Sequence, residues 1–152
     1  LAMLASSFEG AVPENVAGHE ADLPEVIAEA ARRFDEEMLA VRPTAALAAV
    51  YEVVTRANRY MVERSPWTLA KDPSRRQELS GILYASAETL RSLAILLSPV
   101  MPGAAVRLWE QLGIGEPLAE QRLEHASTWG RLTPGARTTK GPALFPRVEA
   151  EP

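Results

Sequence analysis

Two prolines decide what the middle of this chain can become. Pro66 and Pro73 stand between two long stretches whose apolar side chains recur at helical spacing. Proline lacks the N–H that a helix interior needs, and it pushes the residue before it out of the helical region, so neither stretch can run on through the link. The first stretch is expected as a helix from Thr44 to Arg64. Its stripe is Leu47, Val50, Val54, Ala57 and Met61, widened by Tyr51 and Asn58, and Ser65-Pro66 ends it. The second is expected to start at Asp72-Pro73, with Asp72 as cap and Pro73 at the first helical position. It carries Leu79, Ile82, Leu83, Leu90, Leu93, Ala94 and Leu97, and its last turns are expected to be buried all round. Two long helices joined by so short a link must fold back on one another, which favours an up-and-down bundle.

The same punctuation orders the rest. Leu1 to Phe8 reads as the tail of a helix stopped at Gly10, and Leu1-Ala2-Met3-Leu4 suggests a piece cut from a longer protein. Ala11 to Ala21 reads as a loop. Asp22, three residues before Glu25, is expected to cap a second helix through Val26, Ile27, Ala30, Phe34 and Met38, ending near Arg42-Pro43. Beyond Pro99 and Pro102 a short fifth helix holds Val106, Leu108, Trp109 and Leu112, and Gly113 closes it. From Ile114 the chain is rich in Gly, Pro and Thr and is expected as an extended tail laid over the bundle, with Trp129 and Phe145 placed to pin it down. No alternating strand pattern and no internal repeat are found. The expected architecture is therefore all-α: one domain over residues 1–152, about five helices with an irregular tail from about 114.

Composition narrows the function classes. Apolar residues make up 47% of the 152 and charged residues 24%, enough for a core and too apolar for general disorder. There is no cysteine, which removes thiolate and disulfide chemistry and fits a cytoplasmic, reducing setting. His19 and His125 are far apart and have no neighbours at ligand spacing. Glu36 and Glu37 adjoin on a helix and diverge, and no glycine-rich phosphate loop is present. Nothing here reads as a self-sufficient enzyme.

The net charge of −4 speaks mildly against a bulk polyanion binder, but its distribution is uneven. Nine acidic residues lie between Glu9 and Glu37. Six basic ones (Arg56, Arg59, Arg64, Lys71, Arg75, Arg76) lie between Arg56 and Arg76 against Glu63 and Asp72. Such a stretch can attract phosphates, and it can equally be a solvated helix end. Within it, Trp67 follows the helix-ending proline directly. An exposed aromatic beside cations suits an unpaired base, the ring stacking and Arg or Lys taking the phosphates. The alternative is a tryptophan that plugs the bundle end. Asn58 has a similar double reading: a buried amide tying the Pro-Trp turn to the helix, or a direct base contact. Tyr60, Trp109 and Trp129 read as packing residues.

The run Ala57-Asn58-Arg59-Tyr60, then Pro66-Trp67-Thr68-Leu69-Ala70-Lys71, resembles the C-terminal anticodon-binding domain of methionyl-tRNA synthetases, class I aminoacyl-tRNA synthetases. The likeness continues through Leu83-Tyr84, Leu90-Arg91, Ile95 to Pro102, Trp129-Gly130, Lys140-Gly141-Pro142 and Leu144-Phe145-Pro146-Arg147. The resemblance implies a parent that charges tRNA(Met) with methionine using ATP, with magnesium, in a catalytic domain that would precede Leu1. No cofactor is expected in this stretch. It also implies that this stretch reads the CAU anticodon, with Trp67 stacked on the first base. Pro66, Asn58, Arg59, Arg64 and Lys71 complete the expected RNA-binding set, and the expected partners are the tRNA(Met) anticodon stem-loop and the parent's catalytic domain, with no DNA and no membrane. The family often places an asparagine, and a basic residue four on, in the first helix. Those places fall at Ala2 and Ser6, which match neither, leaving Arg59, Arg64 and the backbone as candidates for polar readout. Competing readings are a helical protein-interaction bundle, the anticodon domain of another class I synthetase, and a metal or cofactor bundle. The last lacks paired Glu-x-x-His ligands.

Overall fold

The computed structural model describes residues 1–145. Among the described residues seven α-helices follow one another: α1 (Ala2–Phe8), α2 (Leu23–Leu39), α3 (Pro43–Arg64), α4 (Pro66–Leu69), α5 (Arg76–Leu97), α6 (Pro102–Gln111) and α7 (Leu123–Ser127), with short 3-10 turns at Pro73–Arg75 and Leu118–Glu120. Among the described residues the only β-type pairing is an isolated antiparallel bridge between Ala11 and Arg137. No helix among them is long and apolar enough to cross a membrane.

Prolines open α3, α4, α6 and the 3-10 turn that leads into α5. A missing N–H costs nothing in a first turn, whose donors have no intrahelical partner. α5 is the central strut and packs against α2, α3, α4, α6 and α7. Its burial on all sides begins at Leu79, well before the last turns, and takes in Glu88, Thr89, Arg91 and Ser92. Five neighbouring helices leave it only a narrow, partly exposed line at Ser86, Leu90 and Leu97 beyond its first turn.

α3 departs from the expected stripe. Its buried residues are Ala46, Ala49, Val50, Val53 and Tyr60, whereas Tyr51 and Asn58 are exposed. α2 lies along α3 and contributes Ala30 and Ala31 to the same core. Small side chains let two helices approach closely, so the contact with α2 runs through alanines, while Val50, Val54, Ala57 and Met61 of the expected stripe still pack against the core and only its widening by Tyr51 and Asn58 fails. Asp22 stands at the N-cap of α2 but its side chain caps nothing. Its carboxylate accepts from the Arg56 guanidinium at 3.0 Å instead. The helix stops at Leu39, short of Arg42-Pro43.

The segment beyond Ile114 is more ordered than its composition suggests, because it contains α7 and a 3-10 turn. It is sewn to the bundle by backbone bonds: Val12 N–H to Ala136 O at 2.9 Å, Gly135 N–H to Val12 O at 2.8 Å, and Thr138 N–H to Gly10 O at 2.7 Å. Trp129 packs against the core. Phe145 lies over Val50, Tyr51, Leu97 and Met101 in a shallow apolar hollow but stays 68% exposed. Pro146 and Arg147 lie outside the described residues.

Candidate nucleic-acid interface

The end of α3 is built to present one side chain. Ser65 takes a left-handed conformation (φ 44°), stops α3 and at the same time precedes α4. Its hydroxyl donates to Val62 O at 2.9 Å. α4 is four residues long. Pro66 and Leu69, three apart and therefore on one face, are both buried. Trp67, one position on from Pro66, faces the other way and is 50% exposed. The plug at this end of the bundle is thus Pro66 with Leu69, and Trp67 is free to meet something from solvent.

The cations around it are less available than their number suggests. Arg56 is bonded to Asp22 and Glu63, Arg59 to Glu63 at 2.7 Å, and Arg75 to Glu78. The hydrogen bond from Arg56 holds the Asp22 carboxyl below the usual aspartate range. Arg64 sits over the Tyr60 ring, 5.7 Å from its centre, and Arg76 over the Phe8 ring at 4.5 Å. Lys71 is exposed and, among the described residues, outside every ion pair. The sequence counts six positive charges, but intramolecular carboxylates claim half of them.

Asn58 does not tie the Pro-Trp turn to α3. It is exposed and, among the described residues, its side chain makes no hydrogen bond. It stands at the rim of an apolar cavity of about 280 Å³ that also involves Ala2 on α1, Met61 on α3 and Leu90 on α5. The expected core position is thus corrected: the side chain stands at the rim, not within the core. Ser6 turns its hydroxyl back to Met3 O at 3.3 Å, and Ala2 has no polar atom to offer. Tyr60 supports this face from below. It is buried, its O–H donates to His19 O at 2.6 Å, and burial pushes its pKa up to about 12. Trp109 is also a packing residue, 4% exposed, with its indole N–H on Glu116 O at 2.7 Å. No three His, Asp or Glu side chains gather as metal ligands among the described residues.

The sequence did not single out Phe8 or Arg76 as a pair, because they stand sixty-eight positions apart (76 − 8) and no local pattern links them. It also undervalued Pro66 and Leu69, whose shared burial is what frees Trp67.

Comparison with known proteins bears on the fold and the family. The family described as the anticodon binding domain of methionyl tRNA ligase matches residues 12–152. The methionine–tRNA ligase of Streptomyces coelicolor is 40% identical over 99% of this chain, and that of Caldanaerobacter subterraneus is 37% identical over 98%. The chain spans 30% and 23% of their lengths. The free form of Mycobacterium tuberculosis methionyl-tRNA synthetase superposes with a TM-score of 0.86 at 26% identity, covering 98% of this chain and 30% of that one. The same enzyme in complex with methionyl-adenylate gives 0.85 at 27%. With its helical order, its short α4 and a family match over most of its length, this chain belongs to the anticodon-binding domains of methionyl-tRNA ligases.

Proposed function

We propose that this chain recognises the CAU anticodon of tRNA(Met) for a longer methionine–tRNA ligase, and that Trp67 does so by stacking on the first anticodon base. The observation that carries the reading is a half-exposed tryptophan on a helix whose opposite face, Pro66 and Leu69, is fixed in the core. A rigidly held ring loses little entropy when a base stacks on it. Asn58 offers an amide free to donate and accept at the rim beside Ala2, where the polar pair expected of the family is lacking. Lys71 and Arg64 anchor phosphates, and Arg59 joins them when it exchanges Glu63 for a phosphate. Methionine activation with ATP and magnesium belongs to the catalytic domain of the longer ligase, the second expected partner, and the work is done in the cytoplasm. No step of that chemistry is assigned to residues of this chain.

The test is binding of an RNA hairpin with a CAU loop, followed by anisotropy. Trp67→Ala is expected to weaken binding by about 1–3 kcal/mol and to leave the melting temperature nearly unchanged. Tight binding by Trp67→Ala, or equal affinity for hairpins with and without the loop cytosine, would overturn the reading.

A further inference from the structure

Phe8, the last residue of α1, and Arg76, the first of α5, form a stacked pair, with the guanidinium carbon 4.5 Å from the ring centre. Arg76 is exposed and, among the described residues, has no carboxylate partner. The pair borders a cavity of about 700 Å³ whose other polar groups come from Glu9, Glu14, Gln77 and Ser80. The Ser80 hydroxyl is already committed to Glu14 O at 3.0 Å. Arg76 follows Trp67 by nine positions (76 − 67) and opens the helix on which α4 packs, so platform and tryptophan share one end of the bundle.

A guanidinium held over an aromatic ring is oriented, still charged, and has an open outer face. Unpaired bases stack on such planes. The rest of the lining says which ligand group is favoured. Two carboxylates and one cation line the same cavity, a balance that disfavours a phosphate. A carboxylate accepts from an exocyclic amine, and Glu9 and Glu14 supply two to that cavity.

We propose that Arg76, stacked on Phe8 and flanked by Glu9 and Glu14, is a second base platform that takes the amine-bearing base following the one on Trp67, the adenine of CAU. The proposal rests on the RNA reading above.

The experiment titrates the chain with the CAU hairpin and with hairpins in which that adenine is abasic or replaced by purine, which lacks the amine. Arg76→Ala is expected to weaken binding to the CAU hairpin about five- to tenfold. The difference between wild type and Arg76→Ala should vanish on the abasic hairpin. Arg76→Lys, which keeps the charge and loses the plane, should bind like Arg76→Ala. Purine should bind wild type more weakly than adenine, and Glu14→Gln should narrow that gap. If Arg76→Lys restores binding, or if Arg76→Ala costs as much on the abasic hairpin and lowers the salt slope by about one, Arg76 is a phosphate anchor and the platform is refuted. If wild type fails to bind the hairpin, or if Trp67→Ala binds as wild type does, the anticodon reading itself fails and the platform with it. A result in which Trp67 matters and Arg76 does not removes the platform alone.

Discussion

Glu88 and Arg91 lie one turn apart on α5, both sealed from solvent, with Arg91 Nη2 2.8 Å from Glu88 Oε1. Their pairing is half of what they do. Glu88 also accepts the backbone N–H groups of Gly130, Arg131 and Leu132 at 3.0, 3.1 and 2.8 Å. Arg91 donates to His125 O and Thr128 O, each at 2.9 Å. A buried charge is tolerable when its remaining lone pairs and protons are met, and here a loop of the chain meets them.

Breaking either half should therefore be severe. Glu88→Ala or Arg91→Ala is expected to cost about 3–5 kcal/mol in urea denaturation, since each leaves the other charge buried. Replacing both by apolar residues usually rescues a buried pair. In this protein Glu88→Leu with Arg91→Met should stay strongly destabilised, because three N–H and two C=O groups of the 125–132 segment lose their partners. A double variant as stable as wild type would show that the loop does not depend on the pair.

Gly113 ends α6 with φ at +71°, and a Cβ there would lie 2.0 Å from Arg137 O. Both the left-handed backbone and the close approach exclude a side chain. Gly113→Ala is expected to lower stability by at least about 2 kcal/mol, the sum of the conformational cost and overpacking. Hydrogen exchange should show where: the amides of Thr138 and Thr139, bonded to Gly10 O and Gln111 O, should lose protection first.

Asp22 gives a pH-dependent contribution with a definite sign. Arg56 lowers its pKa in the folded chain, so the folded state holds the proton less tightly than the unfolded one. The stabilisation is present above the unfolded aspartate value, about 3.9, and is lost as pH falls through the lower folded value. Asp22 itself is more than half exposed, so solvent screens the pair and the effect should be about 0.2–1 kcal/mol. Asp22→Asn compared with wild type should show that gap at pH 7, and the gap should shrink as pH falls below the unfolded aspartate value.

Lys71, four positions after Trp67 and outside every ion pair among the described residues, is suited to anchor a phosphate. Lys71→Ala should weaken hairpin binding uniformly across loop sequences and reduce the slope of log K against log salt by about one. Trp67→Ala should leave that slope nearly unchanged. Equal slopes for wild type and Lys71→Ala would remove Lys71 from the interface.

Proline made the helix boundaries legible. Pro43, Pro66 and Pro102 each open a helix within a residue of where the sequence put a break, because φ and the absent N–H act locally. What depended on distant partners was not legible. Asp22 has the form of a cap, but Arg56, thirty-four residues on, takes its carboxylate. α7 is too short to show a period, and its place is set by Arg91 holding His125 O. Trp67 could be located but not oriented from sequence. Its exposure follows from a four-residue helix that spends its single inward face on Pro66 and Leu69.

The bonds that join Gly10 and Val12 to Ala136 and Thr138 bring together positions about as far apart in order of synthesis as this chain allows. A growing chain that has reached α6 has made every helix around Trp67, yet it carries the Glu88–Arg91 pair without the loop groups that complete its hydrogen bonding and a Val12 loop without its mate. Full assembly waits for residues that emerge late, so a ribosome stalled between α6 and α7 would hold a bundle with a paired but incompletely hydrogen-bonded ion pair at its centre. The tail that reads as an appendage is the part that commits the domain to its native state.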